Sequence, residues 1–218
     1  MRQVPPTAAA WDHTHRSPGA VTLTRTIGFD LDMTLIDSRP GIRAVYELLR
    51  DQTGVFIDVD LVVSRLGPPL AWELGHWFPA EHVPAMADRY RAMYPEVAVP
   101  RIVAMPGAIE ALLAAGEVGR AIVVTAKHAP NAALHLDHLR LPHDAVVGDA
   151  WRDQKAAALV REAADTYVGD HVHDMDAARI AGVVAIAVTT GPSSAADLTA
   201  AGADHVVDSL SAVPTLLR

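Results

Sequence analysis

The first stretch with a clear pattern is apolar and β-prone: residues from about 25 to 31 read as a strand, with Asp30 and Asp32 at its end. From Pro40 the period changes. Ile42, Val45, Tyr46, Leu48 and Leu49 recur at helical spacing, and Pro40 suits a first helical turn. Further helical segments are expected near 58–66, 70–77 and 81–94, with breaks at Pro68-Pro69, Pro79 and Pro95 and no strand among them. Residues 39–104 therefore read as a small all-helical insertion.

Past Pro106-Gly107 the texture differs. Short apolar runs at 121–125, 145–147, 166–170, 183–189 and 205–207 alternate with helical segments at about 107–115, 130–139, 154–164, 174–181 and 194–201. Such alternation predicts an α/β fold, a Rossmann-like parallel sheet with helices on both faces. The expected organisation is an N-terminal extension over 1–24, a core built from 25–38 and 105–218, and the helical insertion placed after the first strand. The extension has no clear period, and its Trp11 is a candidate to dock on the body. In open parallel sheets ligands sit beyond the C-terminal ends of the strands, so polar residues at those ends carry the functional expectation.

Half of the 218 residues are apolar and 20% are charged, which is enough apolar material for a sizeable core. A formal net charge of −8 argues against nucleic acid or an anionic membrane surface as partner, though not against a small anionic substrate. The absence of cysteine excludes disulfides, thiolate metal sites and a Cys nucleophile. No apolar run approaches the ~20 residues of a membrane span, and the first residues lack the apolar core of a signal peptide, so a cytoplasmic location is expected.

Chemistry concentrates at the predicted strand ends. Asp30 and Asp32, two apart in an extended segment, point the same way and can share a pocket. Two such acids imply a metal, a shared proton or divided roles, unless they merely decorate a solvated turn. Thr125 ends the next strand, Asp170 ends Tyr167-Val168-Gly169-Asp170, Asp174 follows four residues later, and Lys155 opens the helix before that strand. Singly, each has a plain explanation as a strand end, a helix cap or a solvated charge. Together they describe a pocket for an octahedral divalent cation bridged to phosphate. Arginine outnumbers lysine 16 to 2, and the two lysines are Lys155 and Lys127, the latter beside Thr125. A compact ammonium reaches a phosphate oxygen and a carboxylate where a planar guanidinium would not fit. His171 and His173 are expected to be structural or at the pocket rim. His135 and His138 share a helix face and are expected to be solvated rather than zinc-bound.

This pattern resembles the haloacid dehalogenase-like superfamily, specifically its phosphatase branch. The likeness runs from about residue 25 to 215 through FDLDMTLIDS, VVTAK, the lysine of RDQKAAA, and GDHVHD followed by MDAARIAGV. It implies that Asp30 is the nucleophile and Asp32 the general acid and base, with Thr125 and Lys155 holding the transferred phosphoryl oxygens. It also implies Mg2+ held by Asp30, the backbone carbonyl of Asp32, and Asp170, with Asp174 an outer ligand or an orienting residue. The insertion would be a cap closing over a small phosphorylated metabolite. Arg65-Leu66-Gly67-Pro68-Pro69-Leu70 is similar to the cap loop of phosphoglycolate phosphatase-like members, which makes Arg65, or Arg43, a candidate for a substrate carboxylate. Met33 departs from the glycine common in the family and is expected to narrow the site or alter the turn. The alternatives are a phosphomutase or other hydrolase of the family, and a phospho-receiver or phosphate-binding module. Carbon–halogen hydrolysis needs no acid at Asp32, and no lysine lies between 39 and 104 to form the Schiff base of a phosphonate hydrolase.

Overall fold

The computed structural model describes residues 25–218; the extension over 1–24, with the expectation for Trp11, lies outside the described residues. Strand β1 (Arg25–Phe29) is followed by the short β2 (Ile36–Asp37), then by α1 (Arg39–Thr53), α2 (Val59–Ser64), α3 (Leu70–Leu74) and α4 (Val83–Val97), and the chain returns through β3 (Val103–Ala104). Strands β2 and β3 pair antiparallel, Ile36 with Ala104 and Asp37 with Val103, so the helical insertion leaves and rejoins the sheet-bearing part through one two-stranded ribbon. This ribbon has too few residues to leave a periodic trace in the sequence.

The remainder alternates as expected: α5 (Ala108–Val118), β4 (Gly119–Val124), α6 (Ala129–Leu139), β5 (Ala145–Val147), α7 (Asp153–Arg161), β6 (Thr166–Gly169), α8 (Val172–Ala181), β7 (Val184–Val188), α9 (Ala195–Ala200), β8 (His205–Val207) and α10 (Val213–Leu216). Six strands form one parallel sheet in the order β5-β4-β1-β6-β7-β8. The fold is thus a Rossmann-like α/β sheet, with β1 central and the chain winding outward on each side of it.

Alternation within the strands shows both faces covered. Ile27 and Phe29 of β1, Val123 of β4, Val168 of β6 and Ile186 of β7 pack with Ala108, Leu112, Ala132 and Leu136 from α5 and α6. Their neighbours Ile122, Val124, Tyr167, Ala185 and Ala187 pack on the opposite face with Leu159 of α7, Met175 of α8 and Leu198 of α9. Gly28 belongs to this second face: a Cβ there would stand 2.9 Å from both Leu159 and Tyr167. The room it leaves lets the buried Tyr167 donate its hydroxyl to the Val124 carbonyl at 2.7 Å.

Three expectations change. Pro95 does not break its helix; α4 runs to Val97, and the Ala98 amide still closes on the Tyr94 carbonyl at 2.8 Å. A proline this close to the end removes only a bond of the last turn, while Tyr90 and Tyr94 anchor the helix by burial. His135 is not solvated: it is fully buried, whereas His138 is exposed, because α6 turns the first inward against α4. Met33 does not narrow the site. Its backbone takes the left-handed conformation, φ 63°, and its side chain is buried in the core.

Candidate active site

Register sets the site. Phe29 pairs with Val123 on one side and Val168 on the other, so the first residues beyond these strands, Asp30, Thr125 and Asp170, share one rim. This is the switch point of the sheet, where α/β folds open a crevice. The Asp30 amide donates to the Val168 carbonyl at 2.8 Å and the Thr125 amide to the Val147 carbonyl at 2.9 Å, which extends the ladder and fixes where their side chains start.

Four charges then meet with little water. Lys155 Nζ lies 2.9 Å from Asp30 Oδ1 and 2.5 Å from Asp174 Oδ1, and each of the three residues is buried. Asp170 accepts a 2.6 Å hydrogen bond from the Thr34 hydroxyl, which ties the two ends of the sequence pattern together. Asp174 Oδ2 accepts from the His171 amide in a capping box that starts α8, so one carboxylate caps a helix and holds a lysine at once. Burial, outweighing the Lys155 ammonium and reinforced by Asp174, raises the Asp30 pKa to about 6. Burial with the nearby Asp174 and Asp30 raises Asp170 well above the usual carboxylate range.

Asp32 has a different setting. Its oxygens lie 2.8 and 3.2 Å from Lys127 Nζ. Burial would push the Asp32 pKa up, but the Lys127 ammonium and its hydrogen bond more than offset this and hold it below the usual range. Lys127 in turn lies 5.0 Å from the centroid of the Tyr94 ring, and the Tyr94 hydroxyl meets His135 Nε2 at 3.0 Å. The lysine count singled out Lys127, but no sequence signal linked it to Asp32 or to an aromatic on the insertion.

A cavity of about 110 Å³ lies above these groups. Its floor includes Asp30, Thr125, Lys155, Asp170 and Asp174; its far wall comes from the insertion, with Tyr46, Arg65, Glu73 and Tyr90; His171 and His173 stand on its lining too. Arg65 thus faces the cavity, although Glu73 Oε1 and Oε2 accept bidentately from its guanidinium at 2.7 and 2.9 Å. Arg43 turns instead to Asp60 on the surface. Asn131, on the first turn of α6, and Gly191, after β7, also reach the site and carry no motif that sequence reasoning singles out; a Cβ at Gly191 would stand 1.7 Å from Asp170 Oδ2.

The donor set fits a divalent cation. Asp30, Asp170 and Asp174 each offer a carboxylate oxygen, and the three oxygens lie within 4.8 Å of one another. Three buried carboxylates against one ammonium leave excess negative charge, and all-oxygen donors suit a hard ion such as Mg2+ or Ca2+. Asp32 contributes no side-chain oxygen to this group.

The fold and these positions define a known class. A family model for haloacid dehalogenase-like hydrolases matches residues 27–179, and the chain belongs to that family. Among its relatives are the "Probable phosphatase IndB" of Dickeya dadantii, 31% identical over 85% of this chain and 90% of that protein, and a phosphoglycolate phosphatase of Caulobacter vibrioides, 30% identical over 87% of this chain and 89% of that protein. In fold it matches a haloacid dehalogenase-like hydrolase from Streptococcus pneumoniae at 22% identity with a TM-score of 0.77, across 90% of this chain and all of that one. No helix among the described residues is long and apolar enough to cross a membrane.

Proposed function

We propose that this phosphoric monoester hydrolase is a magnesium-dependent phosphatase acting on a small phosphomonoester through an aspartyl-phosphate intermediate. The observation that carries the reading is Asp30 at the cavity floor, held by Lys155 beside Asp170 and Asp174. An Asp30 oxygen attacks phosphorus in line as the bond to the leaving oxygen breaks. Asp32 gives that oxygen its proton, then takes one from the water that attacks the aspartyl phosphate and releases Asp30 and inorganic phosphate. Lys127 holds Asp32 as the carboxylate in the free protein, so the proton Asp32 gives to the leaving oxygen is taken up from the entering phosphate monoanion or from solvent, once the phosphate offers the ammonium a second anion. Thr125 and Lys155 orient the phosphoryl oxygens, and the helical insertion serves as a cap that keeps bulk water from the intermediate. Mg2+ bound by Asp30, Asp170 and Asp174, with the Asp32 carbonyl, would neutralise phosphate charge so that one anion can approach another.

The test is hydrolysis of p-nitrophenyl phosphate with Mg2+, with excess chelator, and with Mg2+ restored. Chelation should abolish turnover and Mg2+ recover it, and acid quenching during turnover should trap phosphate on wild type but not on Asp30→Asn. Full activity in chelator would remove the metal, and a trapped phosphoenzyme in Asp30→Asn would remove the nucleophile.

A further inference from the structure

With the phosphoryl group over Asp30, the rest of a substrate must occupy the half of the cavity walled by the insertion. The only cation that the described part of the insertion turns toward that space is Arg65. Its guanidinium is already occupied. Glu73 takes it bidentately at 2.7 and 2.9 Å, and the Trp77 indole N–H donates to the same Glu73 Oε1 at 2.8 Å. The guanidinium carbon also stands 5.3 Å from the Trp72 ring centroid and 6.0 Å from that of Trp77. A carboxylate entering here meets an arginine whose fork is filled by another carboxylate, and displacing Glu73 would strand a buried charge. Lys127, the cation on the opposite wall, is likewise committed to Asp32.

Neutral groups are open by contrast. The hydroxyls of Tyr46 and Tyr90 and the carboxamide of Asn131 line the same cavity, and none has a side-chain hydrogen-bond partner among the described residues. The three residues are only 2%, 5% and 6% exposed, and their polar ends keep access to the cavity, where a ligand or water can bond them. Burial and the neighbouring Glu73 carboxylate keep the Tyr46 phenol protonated, and therefore a donor. The Tyr46 and Tyr90 rings, 5.1 Å between centroids and tilted by 55°, add apolar surface to the wall.

We propose that the cavity selects a leaving group that is an uncharged, hydroxylated alcohol, read by Tyr46, Tyr90 and Asn131, and that the Arg65–Glu73 pair turns away leaving groups bearing a carboxylate. This rests on the phosphatase reading above. It separates the chain from the substrate that the names of some relatives carry, since phosphoglycolate is the carboxylate case.

The experiment compares two matched pairs that differ only in carboxylate against hydroxymethyl: phosphoglycolate with 2-hydroxyethyl phosphate, and 3-phosphoglycerate with glycerol 3-phosphate. Values of kcat/KM with Mg2+ should favour the alcohol of each pair by at least tenfold. Glu73→Gln, checked for folding by its thermal melt, frees Arg65 and should narrow that gap fivefold or more by raising the acid member. Should Glu73→Gln fail to fold, the wild-type ratios decide alone. Ratios within threefold of unity, or a preference for the acids, in an enzyme that turns over p-nitrophenyl phosphate would overturn the selectivity and leave the phosphatase reading standing. No turnover of any ester with Mg2+ would overturn that reading instead. Calorimetric binding of the same four compounds would then judge the selectivity, which equal or tighter binding of the acids would overturn.

Discussion

Lys127 Nζ lies 2.8 Å from Asp32 Oδ1 and faces the Tyr94 ring, so the residue following Thr125-Ala126 governs the second aspartate of the first motif. The lysine is 7% exposed and the aspartate 19%, and removing one member of such a pair leaves the other charged in a poor solvent. Lys127→Met should destabilise the fold by about 3 kcal/mol in urea unfolding. The same change in an Asp32→Asn background should cost less than about 1 kcal/mol, because no charge is then stranded. Equal losses in the two backgrounds would mean that the pair contributes nothing to the folded state.

Lys155 is more enclosed than any other cation of the site, with Asp30 on one side and Asp174 on the other. A guanidinium keeps the charge but needs a planar fork where the structure provides two separate single contacts. We expect Lys155→Arg to lower kcat/KM at least 100-fold, about 2.7 kcal/mol of transition-state stabilisation. A loss below about threefold would make the lysine peripheral to the reaction.

The sheet was legible because its strands are apolar runs bounded by helical periods, and all six have ends within two residues of expectation. Asp30, Thr125 and Asp170 were legible because each is the first residue beyond such a strand, where parallel register brings them level, and Lys155 and Asp174 because each falls in the first turn of a helix beside them. Lys127 and Asp32, by contrast, meet through side-chain direction across 95 residues of chain, which no period encodes. His135 misled for a related reason: a helix that packs on two neighbours buries more of its surface than one amphipathic stripe predicts. Only the site-narrowing half of the Met33 expectation failed, because a residue's type does not reveal whether its side chain points toward a cavity or away from it.

Gly191 tests the placement of Asp170 from outside the motifs. Its approach to the Asp170 carboxylate leaves no space for a methyl group, so Gly191→Ala must move either the loop or the carboxylate. The measurement is the thermal midpoint as Mg2+ is raised: wild type should gain stability with concentration, and Gly191→Ala should gain markedly less. Activity at fixed Mg2+ should fall at least tenfold. An unchanged Mg2+ response in a folded Gly191→Ala protein would argue that Asp170 does not hold the ion.

His135 makes the fold acid-sensitive. It is fully buried, its Nε2 meets the Tyr94 hydroxyl at 3.0 Å, and its Nδ1 has no hydrogen-bond partner among the described residues. Burial, helped by the Lys127 ammonium, lowers its pKa to about 3. The folded value is therefore depressed below the ~6.5 of an unfolded histidine. Between the two values the unfolded chain binds a proton that the folded chain refuses, so stability falls as pH drops through 6.5 toward 3. The slope is at most about 1.4 kcal/mol per pH unit, which amounts to about 2 kcal/mol between pH 7 and pH 5. His135→Gln keeps a polar group near Tyr94 but cannot titrate, and every other acid-sensitive group is common to both proteins. Urea unfolding of wild type and His135→Gln at pH 7 and pH 5 should show the advantage of wild type shrinking by about 2 kcal/mol at the lower pH. An advantage that stays constant would show that the imidazole takes up its proton as readily in the folded protein as in the unfolded chain.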